Sequence, residues 1–186
     1  MHIPIAQPSL GNEENDAVLA VLASGMIAQG PVTAAFEDEF AAYCGVPHAV
    51  AVSNGTAALH AALLAAGVGP GDEVVVPAFT FFATASAVSM CGAVPVFADV
   101  DPATATIDPA DIIVKITEKT KAVIAVHLYG QPCDAAAVNK ICDARDLVFI
   151  EDAAQAHGAE YHGTRTGALG DLACFSFYAT KNMATG

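Results

Sequence analysis

Three places in this sequence hold residue types that could do chemistry together. The first is Ser53-Asn54-Gly55-Thr56, which lies between a short apolar run and an Ala/Leu-rich stretch of helical character. Small hydroxylated residues and a glycine at a helix start make an anion site. The first-turn N–H groups and the helix dipole attract negative charge, and glycine removes the side chain that would block its approach. The same tetrapeptide also suits an ordinary Ser/Asn helix cap. The second place is Asp152, after the apolar run 147–150. A carboxylate there could ligate a metal, bind a ribose, pair with a pyridinium nitrogen, or cap the segment 153–155. Glu151 beside it points to the opposite face if the strand continues, and no role is assigned to it. The third is Lys181, in Phe175-Ser176-Phe177-Tyr178-Ala179-Thr180-Lys181. The other four lysines (Lys115, Lys119, Lys121, Lys140) fall in helical or turn segments of solvated character. Lys181 is set among aromatic and small residues, where an amine's pKa can be lowered toward the neutral form that makes an imine. A surface lysine following a strand is the plainer alternative.

The elements that must position these residues alternate between apolar β-rich runs and helical patterns, which specifies an α/β fold with a largely parallel sheet. Helices are expected over 13–24 and 32–43, joined by a turn at Gln29-Gly30-Pro31. Strands are expected at 49–52, 73–76, 94–97, 122–126, 147–150 and 173–177. Further helices are expected from 56 to about 66, from about 81 to 90, and at 108–116 and 135–144. Ser53 to Thr56, Thr80, His127, Asp152 and Ser176 all follow strand ends, and ligands of open α/β sheets bind beyond the carboxyl ends of the strands. That clustering points to one site.

Composition narrows the function. The chain of 186 residues is 54% hydrophobic and 15% charged, with a mean hydropathy of +0.49. Such a chain folds, as one domain with a sizeable core. Twenty acidic residues against seven basic ones leave a net charge of -13, which repels nucleic acid. No apolar stretch reaches the ~18 residues of a membrane span. Met1-His2-Ile3-Pro4 lacks the basic and apolar pattern of a signal peptide, so the cytoplasm is the expected location. The five cysteines are scattered and form no Cys-x-x-Cys pair, and no histidine pair has metal-ligand spacing. They read as small buried thiols, and no metal site is expected. The loop before the first core helix is neither a Gly-x-x-x-x-Gly-Lys-Ser/Thr phosphate loop nor a Gly-x-Gly-x-x-Gly fingerprint.

Five segments stand in order: Ser53-Asn54-Gly55-Thr56-Ala57-Ala58-Leu59, Pro77-Ala78-Phe79-Thr80-Phe81, His127-Leu128-Tyr129-Gly130-Gln131-Pro132, Glu151-Asp152-Ala153-Ala154-Gln155-Ala156, and Phe175 through Asn182. The series resembles the DegT/StrS-type sugar aminotransferases, pyridoxal 5'-phosphate (PLP) enzymes of the aspartate-aminotransferase superfamily, over essentially the whole chain. The resemblance implies a three-layer α/β/α fold with a mostly parallel sheet, the large domain of fold type I. Lys181 matches the lysine that holds PLP as a Schiff base and shuttles the proton. Asp152 matches the partner of the pyridine nitrogen, which keeps the ring an electron sink. Gly55 and Thr56 match the phosphate cradle, with Ser176 as its further hydroxyl donor. Phe81 matches the aromatic stacked on the ring, and Gln155 a residue near its phenolic oxygen. His127 and His157 receive no task.

The implied reaction moves an amino group from glutamate or glutamine to a keto-sugar, most often nucleotide-linked, in a cytoplasmic homodimer. Some relatives instead act on cyclitol ketones or aminobenzoate precursors. In one departure the lysine is replaced and the enzyme dehydrates a sugar; the lysine is present here. A PLP lyase or dehydratase on the same scaffold, or a PLP-binding regulatory protein without catalysis, are the alternatives. Family members run to roughly twice this length. Residues 1–186 are therefore expected to be the N-terminal part of the PLP-binding large domain, with a helical lead-in over 1–45 and without the C-terminal small domain. Expressed alone, residues 1–186 should expose apolar surface, dissolve poorly and show little or no activity. Size-exclusion chromatography with a transamination assay checks this; a monodisperse, active preparation refutes it.

Overall fold

The computed structural model describes residues 7–185, so the N-terminal residues read above for signal-peptide character lie outside the described residues. Seven strands in chain order are β1 (Glu73–Pro77), β2 (Val94–Ala98), β3 (Thr120–Val126), β4 (Val148–Asp152), β5 (Glu160–Tyr161), β6 (Thr164–Arg165) and β7 (Leu172–Cys174). The helices are α1 (Asn12–Ser24), α2 (Pro31–Cys44), α3 (Gly55–Ala65), α4 (Ala83–Met90), α5 (Pro109–Lys115) and α6 (Ala135–Arg145). Five strands form one parallel sheet in the order β2-β1-β3-β4-β7. No helix among the described residues is long and apolar enough to cross a membrane.

The pleat of the sheet explains the three layers. Val74, Val76, Ala122, Ile124 and Ile150 face one side, where they pack with Leu59 and Leu63 of α3 and with Ala87 and Val88 of α4. Their strand neighbours Val75, Val123, Ala125 and Phe149 face the other side, against Ile112 of α5 and Val138 and Cys142 of α6. Both faces are covered, so the central stretches of β1, β3 and β4 (74–76, 122–126 and 148–150) are continuously apolar instead of alternating. The chain runs from β1 out to β2 and then returns to place β3 on β1's other flank. A crevice therefore opens at the carboxyl ends of β1 and β3, the place where doubly wound sheets bind ligands.

Two expected strand assignments change. Residues 49–52 are not a strand, because no neighbour pairs with them. The Ala51 N–H is donated to the Glu37 side chain instead (2.7 Å), and Val50 is 78% exposed. The strand expected over 173–177 ends at Cys174, because its partner β4 ends at Asp152. Beyond that point Phe175 and Phe177 leave the sheet and pack edge-on against Phe40 of α2, with ring centroids 4.9 and 5.3 Å away. The β5–β6 hairpin was not anticipated. His162 and Gly163 turn it with φ of 49° and 84°, the paired left-handed conformation that tight hairpins favour.

Glu151 ties the far side of the sheet together. It is fully buried and accepts four hydrogen bonds. His127 Nε2 and the Gly167 N–H meet Oε2, each at 2.9 Å, and the Leu169 and Gly170 N–H groups meet Oε1 at 2.8 and 2.9 Å. His127 Nδ1 accepts from the Cys133 N–H (3.2 Å), so Nε2 carries the ring proton and donates it. Burial pushes the Glu151 carboxyl up, but the donors from His127 and Gly167 outweigh it and hold the group below the usual glutamate range. Its contribution is thus complete above about pH 4.3, the unfolded value, and is lost as pH falls through the lowered folded value. Glu151→Gln keeps the shape but turns an NH2 toward two of the four donors. It should cost about 3–5 kcal/mol, the scale of breaking a buried ionic group's pairing. Urea unfolding measures this, and a loss under about 1 kcal/mol refutes the clamp.

Candidate active site

The site is assembled at the carboxyl ends of β1 and β4 and at the start of α3. Asn54 caps α3 and accepts the Ala57 N–H (2.9 Å), while the Ala58 N–H bonds the Asn54 carbonyl. The tetrapeptide is therefore a helix cap, and it also leaves the Gly55 and Thr56 N–H groups without a hydrogen bond among the described residues. Gly55 cannot be larger. A Cβ there would stand 2.9 Å from Ser176 Cβ and 3.3 Å from the Phe175 carbonyl oxygen. The absent side chain lets α3 start directly against Ser176, so the free N–H groups and the serine share one place. The Ser176 hydroxyl accepts a long hydrogen bond from the Tyr178 N–H (3.4 Å).

Asp152 is 6% exposed and faces away from the Glu151 clamp. Its Oδ2 accepts from the Thr84 hydroxyl (2.8 Å), and Thr84 Oγ1 lies 2.9 Å from Thr80 Oγ1. Oδ1 receives a weaker bond from the Ala154 N–H (3.3 Å). Burial holds the Asp152 carboxyl above the usual aspartate range, against the opposing pull of the Thr84 hydrogen bond and the Lys181 charge. The two neighbouring carboxyls are thus shifted in opposite directions: Glu151 is satisfied, and Asp152 is short of positive partners.

Lys181 is half-buried and forms no ion pair among the described residues. It lines an open cleft of about 620 Å³ between residues 7–10 and 179–184. Its neighbour Asn182 is fixed to His157 in two ways. The His157 Nδ1–H donates to Asn182 Oδ1 (2.8 Å), and Asn182 Nδ2 donates to the His157 carbonyl (3.2 Å). Burial lowers the His157 pKa, which keeps this ring neutral. His157 thereby acquires a structural task, as His127 does through Glu151. Gln155 Oε1 accepts the Tyr129 N–H (2.8 Å), where Tyr129 adopts a left-handed backbone (φ 54°). That contact commits the Gln155 NH2 to donate elsewhere. Phe81 stands 58% exposed ahead of α4 and contacts Phe82, with centroids 4.4 Å apart.

The structure thus brings Gly55 to Ser176, and sets Asp152 within reach of the Lys181 charge. Among the described residues no side-chain hydrogen bond or ring contact joins Phe81 or Gln155 to them. Thr84 was missed. It sits inside a helix 68 positions before its partner, and a threonine on a buried helix face carries no local signal. The five cysteines are all buried, and burial first of all pushes the Cys133 and Cys142 thiols up to about 12, so neither is a ready nucleophile.

A parallel sheet covered by helices on both faces, with a buried carboxylate and a glycine-started helix with free N–H groups at its carboxyl edge, defines the class. The chain belongs to the DegT/DnrJ/EryC1/StrS aminotransferase family, whose sequence pattern matches residues 8–186. The GDP-perosamine synthase of Caulobacter vibrioides is 48% identical over 185 residues, covering 99% of this chain and 50% of that protein. The solved structure of Streptomyces venezuelae DesV in complex with a ketimine intermediate superposes with a TM-score of 0.91 at 47% identity, covering 93% of this chain and 47% of DesV. The PLP-form of Spr1654 from Streptococcus pneumoniae, described as a sugar aminotransferase, gives a TM-score of 0.95 at 35% identity and covers 99% of this chain and 51% of that one. The chain spans about half the length of the relatives it matches.

The raised Asp152 pKa makes a stability statement. In the unfolded chain this acid ionises near 3.9. As pH rises through that value toward the higher folded one, ionisation favours unfolding, and above the folded value the whole penalty is present. Asp152→Asn removes the charge and keeps an oxygen for Thr84. At neutral pH the variant should melt higher, by roughly 2–4 °C for each kcal/mol relieved. Calorimetry checks this; an unchanged or lower Tm contradicts it.

Proposed function

We propose that this chain carries the cofactor-binding part of a PLP-dependent aminotransferase that moves an amino group from glutamate or glutamine to a keto-sugar, most often nucleotide-linked. The observation that carries it is Asp152: a buried carboxylate, short of positive charge, at the carboxyl end of β4 and within reach of the Lys181 charge. The residues present fit PLP. Gly55 leaves the room beside Ser176 that a side chain would fill, and Asp152 lacks the cation that a protonated pyridine would provide. When bound, PLP supplies an electrophilic carbonyl and a ring that accepts the electron pair left when a Cα proton departs.

This chain's residues do the rest. The Gly55 and Thr56 N–H groups and the Ser176 hydroxyl bind the phosphate, aided by the dipole of α3. Asp152 holds a proton on the ring nitrogen. Lys181 provides the amine that anchors the cofactor covalently, then carries the proton between substrate atoms as acid and base. Phe81 would lie against the ring, and Gln155, whose Oε1 accepts the Tyr129 N–H, would offer its NH2 to the phenolic oxygen. In a protein of the relatives' length, a C-terminal part with a small domain completes the site. Working as a cytoplasmic homodimer completes the proposal.

The test uses the complete protein. With PLP it should show a visible absorption band that borohydride fixes onto Lys181, identified by peptide mapping. With glutamate and a keto-sugar nucleotide it should release 2-oxoglutarate. Lys181→Ala should reduce turnover at least a thousandfold, roughly what losing an activated nucleophile and base removes. A colourless protein that takes up no PLP overturns the proposal; a PLP-loaded protein that forms no keto acid from either glutamate or glutamine overturns the transfer reaction.

A further inference from the structure

We propose that Thr84 is the positioning residue for Asp152, setting where the proton shared between that carboxylate and the cofactor ring resides. The inference rests on the function proposed above, in which Asp152 meets the ring nitrogen. Thr84 is fully buried in the first turn of α4 and its hydroxyl is the shortest hydrogen bond that Asp152 accepts, at 2.8 Å. The Ala154 N–H at 3.3 Å is a weak second donor. Thr84 has a single hydroxyl proton. With that proton committed to Asp152, the 2.9 Å contact to Thr80 can be satisfied only if the Thr80 hydroxyl donates to Thr84. The order is therefore Thr80 to Thr84 to Asp152, and each hydroxyl polarises the next.

Such a donor changes the chemistry of the carboxylate. A buried carboxylate with few donors is a strong base and draws the shared proton to itself; one that accepts a hydroxyl hydrogen bond is a weaker base and leaves the proton on nitrogen. Other groups act on Asp152 from around it. The Lys181 charge favours its ionised form, the His127 ring stands neutral beside Glu151, and Glu151 lies on the opposite face, satisfied by its own four donors. The Cys174 thiol, paired with Asp152 across β4 and β7, is itself pushed up by burial and by the Asp152 charge, and offers no ionic help. Of these neighbours, Thr84 is the only side chain among the described residues that donates a hydrogen bond to the carboxylate directly. Without it, the proton on the ring nitrogen passes to a carboxylate oxygen: one N–H bond is lost, one O–H bond forms, and no other bond changes.

The experiment compares the complete protein with its Thr84→Val, Thr84→Ser and Asp152→Ala variants, each loaded with PLP labelled with 15N at the ring nitrogen. In the parent the 15N resonance should report a protonated nitrogen. Thr84→Val should move it toward the value of an unprotonated pyridine and weaken PLP binding about tenfold or more, the loss expected for a hydrogen bond to a charged group. Thr84→Ser should restore both, which loss of packing alone would not allow. A Thr84→Val resonance that stays at the parent position, while Asp152→Ala moves it, overturns the role of Thr84 and leaves the pairing of Asp152 intact. A parent resonance already unprotonated and insensitive to Asp152→Ala overturns both.

Discussion

Adjacent residues of a strand point to opposite faces, and at the end of β4 those two residues are carboxylic acids. The pleat sends Glu151 to one side of the sheet and Asp152 to the other. Glu151 gathers three backbone N–H groups and a histidine, and so closes the turn at 167–170 onto the end of β3. Asp152 receives one hydroxyl and a distant N–H. A carboxylate with unsatisfied capacity can be tolerated in the interior only where the surrounding backbone is already fixed, and the Glu151 clamp supplies that fixity one residue away along the chain. A fully satisfied acid and an under-satisfied one are thus separated by a single step of the pleat.

Much of this architecture was legible in the sequence because strand and helix periods are local properties. The runs at 73–76, 94–97 and 122–126 became strands within one or two residues of expectation, and the Ser53 to Thr56 turn did open a helix. What failed was pairing. Residues 49–52 have strand composition and no neighbour, and 175–177 outrun the end of β4. Composition sets a residue's preference for an extended backbone, but only a partner makes a strand. The candidate site followed the same division. Gly55, Asp152, Ser176 and Lys181 stood out by type and position, whereas Thr84 and the Glu151 clamp depend on contacts between distant segments. Glu151 was placed on the correct face and given no work, because the three N–H groups it collects come from a loop with no sequence signature.

The net charge of -13 sets a further constraint. A strongly acidic chain repels an anionic ligand at long range, so attraction has to be built at short range. On the proposed reading, the uncommitted backbone N–H groups at the start of α3, which stand against Ser176 because Gly55 has no side chain, would supply it. Partial charges fixed in the backbone cannot rotate away or be neutralised by a neighbouring acid, which makes them suited to a molecule with only seven basic residues.

Lys181 lies just beyond the end of the sheet, and its placement has a mechanical side. Phe177 on one side and Asn182 on the other both rest on His157, and Phe40 of α2 touches that same ring. The lysine is therefore hung between two supports that share a single fulcrum. Tilting α2 would swing both supports together and carry the amine along without stretching the segment between them. Error in the lysine's aim is in this way a matter of how well a small stack of rings resists rolling, more than of how stiff its own backbone is.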